Sequence, residues 1–517
     1  MMCLATLDIA SAYGVRSPPF IILARFWHTN SMLSEKNCKK LKKDFGESAD
    51  LLVREAEIGG RKAYFCAIEG LLDKELLEEH VIKPLAAIES YSLGEVKNRV
   101  YLTAPVRTAT TLAEAEEEIA TGTVALLVEG ERVILLFSVK KWERRSVEEP
   151  PTSSVIKGPR EGFTEDVTVN AALLRRRLKS KSLVIRERRI GKYTGTKVLV
   201  CYLSDVADGA TVDLVNERLG EIEIDGVIDS SYLTKFLEDD PASLFPQVGS
   251  YEKPDVVAAK LLEGRVAILS DGSPIALTVP HLLIESFQDS QDYFKRNSRV
   301  TVTRFLRLFG AIIALFLPAA FVAVQEYQYQ VLPLKFLITI INSTNGTPLS
   351  PTLEMLLVLI IFDILNEASV RMPRYVGMAL SIVGAIVLGE TAVSAGLLSS
   401  PAVLVTALSS IGLYLVPDDV GPYSLLRLLF VATAALLGLL GILFAVMILF
   451  AHLVTIRSFG SDYLSPYAPM IGADLKDGFV KKELPKMVKR PQGIANRNPT
   501  RIGKGVAQAD EGEAENE

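Results

Sequence analysis

Between residues 308 and 453 charged side chains become scarce, whereas before residue 300 they recur every few positions. A chain with that split has to satisfy two solvents, because backbone and charge are both costly to place in hydrocarbon. The bulk values, 23% charged, 49% hydrophobic and a net charge of −5, average over the two regions and say little about partners. About 20 mostly apolar residues cross a bilayer. Runs of that character occupy 308–324, 376–398, 402–416 (short) and 425–454, the last long enough for one strongly tilted helix. Residues 353–370 differ, since Glu354, Asp363, Asn366, Glu367 and Arg371 flank or interrupt their apolar core. That density of charge predicts an amphipathic helix in the interface or beside a water-filled path, with a fifth span as the other reading.

Basic residues orient the array. Lys295, Arg296, Arg299, Arg304 and Arg307 precede the first run, and Lys476, Lys481, Lys482, Lys486, Lys489 and Arg490 follow the last. The positive-inside rule then puts both ends in the cytosol and requires an even number of crossings, which four spans satisfy. The expected layout is an extension or mis-assigned start over 1–31, two α/β subdomains over 32–150 and 151–300, and a membrane domain over 301–457. A cytosolic tail over 458–517 follows, disordered across its acidic end at 510–517.

The soluble half reads as a tandem repeat. Leu51 to Gly59 resembles Leu183 to Gly191, and each leads into an apolar strand, 63–68 and 197–203. Gly122 to Gly130 matches Gly264 to Gly272; each is a strand ending in an acidic residue and a glycine, followed by another strand. Glycine in that place supplies the positive φ of a tight hairpin. The fold class expected is therefore an α/β N-terminal half built from two similar subdomains, followed by an all-α multi-pass membrane domain.

Chemistry is sparse. Four cysteines, none paired as CxxC, and four scattered histidines give no disulfide framework and no metal site, and no phosphate-binding loop or HExxH occurs. No cofactor and no enzyme activity is expected. Arg175–Arg177 and Arg186–Arg189 form a basic cluster whose reading as a solvated or lipid-apposed face is favoured over nucleic acid. The carboxylates in or near the membrane, Glu326, Glu354, Asp363, Glu367 and Glu390, are the candidates for a cation path, which needs such oxygens to replace hydration. Glu354 and Glu367 rank above Glu390, whose alternative is a structural pairing with Arg374 or Arg427. Gly384, Gly389 and Gly396 on the same run would let helices approach closely.

Several peptides in register carry a family resemblance: Lys157, Gly158, Pro159, Arg160, Glu161, Gly162 and Phe163; Lys253, Pro254 and Asp255; Gly264 and Arg265; Asp271 and Gly272. Gln291 to Tyr293, Arg371 to Pro373, Ser458 to Gly460 and Arg490-Pro491 extend it to nearly the whole chain. The sequence resembles the GerA-type A subunits of bacterial spore germination receptors. That resemblance implies a spore inner-membrane protein working with a transporter-like B subunit and a lipoprotein C subunit. It also implies homo-oligomers forming a nutrient-gated channel for monovalent cations. A stage V sporulation AF-type amplifier, or a scaffold that conducts nothing, are the alternatives. Asn366 and Ser369 depart from the family's usual Arg and Gly, which touches gating rather than fold.

Overall fold

The computed structural model describes residues 35–100, 102, 104–141, 157–371, 384, 387–416 and 420–502. The expectations for 1–31, Pro373, Arg374 and the acidic end of the tail fall outside these residues. The described chain divides into two compact units. One takes the residues up to 141 with Pro159–Leu237 and Ser250–Thr278; the other takes 157–158, Glu238–Gly249 and everything from Val279 onward. The second unit's continuous stretch thus begins at Val279, ahead of the first helix of the bundle.

The first unit holds the repeat. Strands β1 (Leu51–Ile58), β2 (Arg61–Ile68), β3 (Arg107–Ala109), β4 (Val124–Val128) and β5 (Ile134–Phe137) form a sheet in the order β1-β2-β4-β5-β3. Strands β6 (Leu183–Ile190), β7 (Thr196–Leu203), β8 (Gly249–Tyr251), β9 (Val266–Ser270) and β10 (Ala276–Val279) repeat that order as β6-β7-β9-β10-β8. Even the register repeats: Cys66 faces Ala125 across β2–β4, and Cys201 faces Ala267 across β7–β9. The anticipated turns are present, with Gly130 at φ 82° and Gly272 at φ 79°. These are left-handed values that a side chain would strain. Cys38, Cys66 and Cys201 are buried free thiols.

The second unit is a helical bundle with a polar base. Its helices are α1 (Asn297–Glu326), α2 (Leu334–Thr344), α3 (Pro351–Arg371), α4 (Ser400–Leu413), α5 (Val420–Leu437) and α6 (Leu439–Thr455). Of these, α1 and α5 are long and apolar enough to cross a membrane, while α2, α4 and α6 are shorter apolar helices. The run 425–454, expected as one helix, is broken at Gly438, which adopts φ 62° and sends α6 back along α5. The stretch 353–370, expected as an amphipathic helix, lies within α3. Met355, Val358 and Leu359 of α3 are fully buried, and Met355 and Leu359 join a core with Ala314, Ala319 and Phe430.

Of the three glycines expected to let helices approach, Gly389 and Gly396 have open space where a Cβ would sit, whereas a Cβ on Gly384 would come within 3.0 Å of the Leu365 side chain of α3. A tighter crossing joins α1 and α4, where a Cβ on Gly412 would collide with the backbone oxygen of Gly310. Small residues at such a point let two backbones touch. Gly412→Val is expected to force α1 and α4 apart and to cost about 1–3 kcal/mol through overpacking. The check is the thermal unfolding of the detergent-solubilised chain.

Candidate functional site

The bundle interior holds a charged node. Arg427 of α5, with no exposed surface, donates from Nη2 to Asp363 Oδ1 at 2.7 Å, and Ser424 donates to Asp363 Oδ2 at 2.8 Å. Arg427 Nη1 reaches Ser409 Oγ at 3.2 Å, and Ser409 in turn donates to the carbonyl of Ala314 at 2.8 Å. One guanidinium thus ties α1, α3, α4 and α5 together. A buried cation is tolerable only with such partners, and here Arg427 Nε still has none. Tyr414 closes the same level by donating to Asn366 Oδ1 at 2.6 Å.

Arg427 is thus partnered by Asp363 rather than by Glu390, the alternative raised for it. Glu390 lies exposed on a π turn, Val387–Ala392. The remaining carboxylates separate into two kinds. Glu326, at the end of α1, accepts from the backbone N–H and hydroxyl of Thr352 at 3.1 and 2.7 Å. It thereby satisfies a donor at the start of α3, where the helix dipole favours an anion. Glu354, ranked with Glu367 above Glu390 as a pore liner, is buried and accepts the backbone N–H of Ser399, the N-cap of α4. Glu367 is exposed and forms an i,i+4 ion pair with Arg371 at 2.7 Å. It lines a shallow groove of about 480 Å³ with Asp363, Ile360, Ile364, Ala368, Arg371 and Leu428. The five carboxylates are therefore not brought to one site. Glu326, Glu354 and Asp363 close helix contacts, and Glu367 and Glu390 face outward.

A second polar node forms the base of the same unit. Asp292 is fully buried and accepts from Arg304 Nε at 3.1 Å and from Arg307 at 2.8 and 3.1 Å. Burial pushes its carboxyl pKa up, but the hydrogen bonds and charges of Arg307 and Arg304 outweigh that and hold it below the ordinary value. Arg304 also donates to Asp477 Oδ1 at 3.0 Å, and Lys481 donates to the carbonyl of Asp292 at 2.9 Å. A loop from the soluble part of the sequence completes this base. Ser243 Oγ lies 3.0 Å from His452 Nε2, Ser458 Oγ donates to the carbonyl of Gln247 at 2.7 Å, and Phe245 sits 6.4 Å from the rings of both His452 and Tyr463. Sequence reasoning counted Arg304 and Arg307 as positive-inside markers and missed the acids that neutralise them. The signal available was the Gln291-Asp292-Tyr293 peptide itself.

Glu161 binds Arg176 and, at 2.8 Å, Arg177, while Arg175 is buried and makes a two-pronged contact to Asp50 at 2.8 and 2.9 Å. Two of the cluster's arginines thus serve Glu161, and Arg175 joins the two repeats. Pro159 is half-buried, Arg160 exposed and Gly162 buried. Gly158 has φ 126°, and a Cβ there would come within 2.7 Å of the Phe294 ring. Pro254 opens the helix Pro254–Leu262 with Asp255 in its first turn, and Gly264, at φ 104°, follows that helix. Arg265 pairs with Glu263; Asp271 accepts the N–H of Val167 at 3.3 Å, and Gly272 donates to the carbonyl of Glu165 at 2.8 Å. Among the described residues no group of three or more His, Cys, Asp or Glu side chains is placed to hold a metal.

Residues 39–493 match the model of the family described as Bacillus/Clostridium GerA spore germination protein. The chain is similar to spore germination protein KA of Bacillus subtilis (strain 168), 33% identical over 91% of this chain and 88% of that one. The uncharacterized membrane protein YfkQ of the same organism is 34% identical over 87% and 89%, and its spore germination protein B1 is 32% identical over 90% and 96%. A solved structure, the N-terminal domain of the A subunit of the Bacillus megaterium spore germinant receptor GerK3, is 27% identical over 48% of this chain and 95% of that chain, with a TM-score of 0.39.

Proposed function

The chain belongs to the Bacillus/Clostridium GerA family of spore germination proteins, and from that premise we propose that it is the A-type membrane subunit of a germinant receptor. In this reading it sits in the spore inner membrane with transporter-like B and lipoprotein C partners. Copies of it assemble into a cation conduit that opens at the onset of germination. Both ends of the bundle's chain face the cytosol. This is supported by the common polar base that receives the start of α1, through Arg304, and the end of α6, through His452.

The observation that carries the conduit is the division among the carboxylates. Packing within one chain ties Glu326, Glu354 and Asp363 into contacts between helices, Asp363 staying about one-third exposed, whereas Glu367 and Glu390 make no such contact and are exposed. An outward carboxylate among apolar helices is costly in lipid. Repeated by symmetry around a water-filled axis, it becomes a ring that concentrates cations. The order of candidates is accordingly Glu367 and Glu390 before Glu354. The full chain, reconstituted in liposomes with its partner subunits, is expected to pass potassium when nutrient is added. Glu367→Gln and Glu390→Gln together should cut that flux roughly tenfold while assembly on size exclusion stays the same. Undiminished flux in the double variant removes the ring, and no flux in the parent leaves a scaffold. In spores lacking the gene, loss of potassium release to one nutrient indicates a receptor subunit. Slowed release to every nutrient indicates the amplifying branch.

A further inference from the structure

The helix α2, Leu334–Thr344, takes no part in the carboxylate division on which the conduit rests. At 1.5 Å per residue its 11 residues reach about 16 Å, half the thickness of a hydrocarbon core. Two exposed stripes run along it beside one buried contact. Ile340, 5% exposed, is its buried contact with the bundle. Leu334, Ile338 and Ile341, spaced i, i+4, i+7, are 71%, 48% and 53% exposed, although all three are apolar. Lys335, Thr339 and Asn342 repeat the same spacing one residue on, about 100° around the axis, and are also exposed.

Each stripe asks for a different surrounding. A helix in a wholly aqueous loop has no reason to expose three large aliphatic side chains in line. One buried in hydrocarbon has no reason to carry the second, polar stripe. Both are satisfied where lipid tails meet headgroups. The hydroxyls agree: Thr339 donates to the carbonyl of Lys335 at 2.9 Å, and Ser343 and Thr344 donate to that of Ile340 at 2.9 and 3.0 Å. Their donors are satisfied within the helix and need no water.

The neighbours mark the same level. Tyr327 and Tyr329, just before α2, are exposed in the manner of an aromatic belt, and Tyr327 donates to the carbonyl of Ala435 at 2.6 Å. Leu436 and Leu440, on either side of the Gly438 turn, are 74% and 61% exposed, which continues an apolar band around that end of the bundle. We propose that α2 is an interfacial helix that docks on phospholipid at the end of the bundle away from the start of α1. Leu334, Ile338 and Ile341 enter the acyl region, and Lys335 reaches back to headgroup phosphates. The proposal rests on the membrane location and not on conduction.

The test uses the full chain with Trp27 and Trp142, its two tryptophans, replaced by phenylalanine. Single tryptophans are introduced as Ile338→Trp, Ile341→Trp, Lys335→Trp and Leu436→Trp. The protein is placed in vesicles of phosphatidylglycerol and phosphatidylethanolamine with brominated acyl chains. Ile338→Trp and Ile341→Trp are expected to lose most of their emission to bromine, as Leu436→Trp does. Lys335→Trp should respond mainly to iodide in the water. If position 338 or 341 responds to iodide instead, α2 is aqueous and the proposal falls. If it resists both quenchers while Leu436→Trp is quenched by bromine, a second copy or another protein covers the stripe and the proposal again falls. Failure of Leu436→Trp itself to respond to bromine overturns the membrane reading along with it.

Discussion

Asp50→Ala is expected to destabilise the α/β unit by about 3–5 kcal/mol, the cost of leaving a buried charge without its partner. Arg175 has no exposed surface, and its guanidinium is fixed by both oxygens of Asp50, by Ser48 Oγ at 2.9 Å and by the carbonyl of Ser180 at 3.1 Å. The same stretch joins the repeats through the backbone, with the N–H of Ala49 donating to the carbonyl of Ile185 at 2.7 Å. With Asp50 removed, the cation cannot rotate to water without opening the seam between the repeats. The loss should appear in the full-length protein as faster amide exchange in β6 and β7 and a lower urea midpoint for those strands. Asp50→Leu combined with Arg175→Met should recover most of it, because a buried ion pair exchanged for apolar residues of similar volume is often neutral. A double variant as unstable as the single one would show that the pair does more than neutralise itself.

Asp363→Ala is the membrane counterpart. Arg427 is as buried as Arg175, but Asp363 is about one-third exposed, so the expected loss is nearer the lower end, about 3 kcal/mol. Because Arg427 ties four helices, the loss should be shared by the bundle rather than confined to α3. Heating the solubilised chain and measuring the fraction that stays monodisperse reads this out. Asp363→Asn, which keeps an acceptor but not the charge, should fall between the parent and Asp363→Ala. Equal stability of all three proteins would mean that Ser409 alone suffices for the guanidinium.

What could be read from the sequence follows the range of each interaction. The hairpins closed by Gly130 and Gly272 were legible because strand alternation and an acidic–glycine turn are local signals, and their recurrence exposed the duplication. The Arg175–Asp50 contact joins residues 125 positions apart, and nothing local distinguishes those arginines from a solvated cluster. The break at Gly438 was hidden because leucines stand on both sides of it, so hydropathy does not change across the turn. The fates of the five carboxylates were illegible for a similar reason. Whether an acid in a helix is capped, paired or outward depends on which helix packs against it, and the amphipathic pattern of 353–370 favoured Glu354 and Glu367 alike, of which packing buries Glu354. The amphipathic stripe of α2 was overlooked because only 11 residues carry it.

The loop Glu238–Gly249 has a consequence for inheritance. It is encoded inside the second repeat yet packs with the base of the bundle, so the chain leaves and re-enters the α/β unit in the middle of a subdomain. Recombination at residue 279 or 300 would set the membrane half against the other parent's counterparts of Ser243, Phe245 and Gln247, and leave a repeat carrying a loop fitted to a different neighbour. The two halves are therefore not independent cassettes. A chimera that carries residues 238–249 from the same parent as its membrane helices is expected to be the more stable.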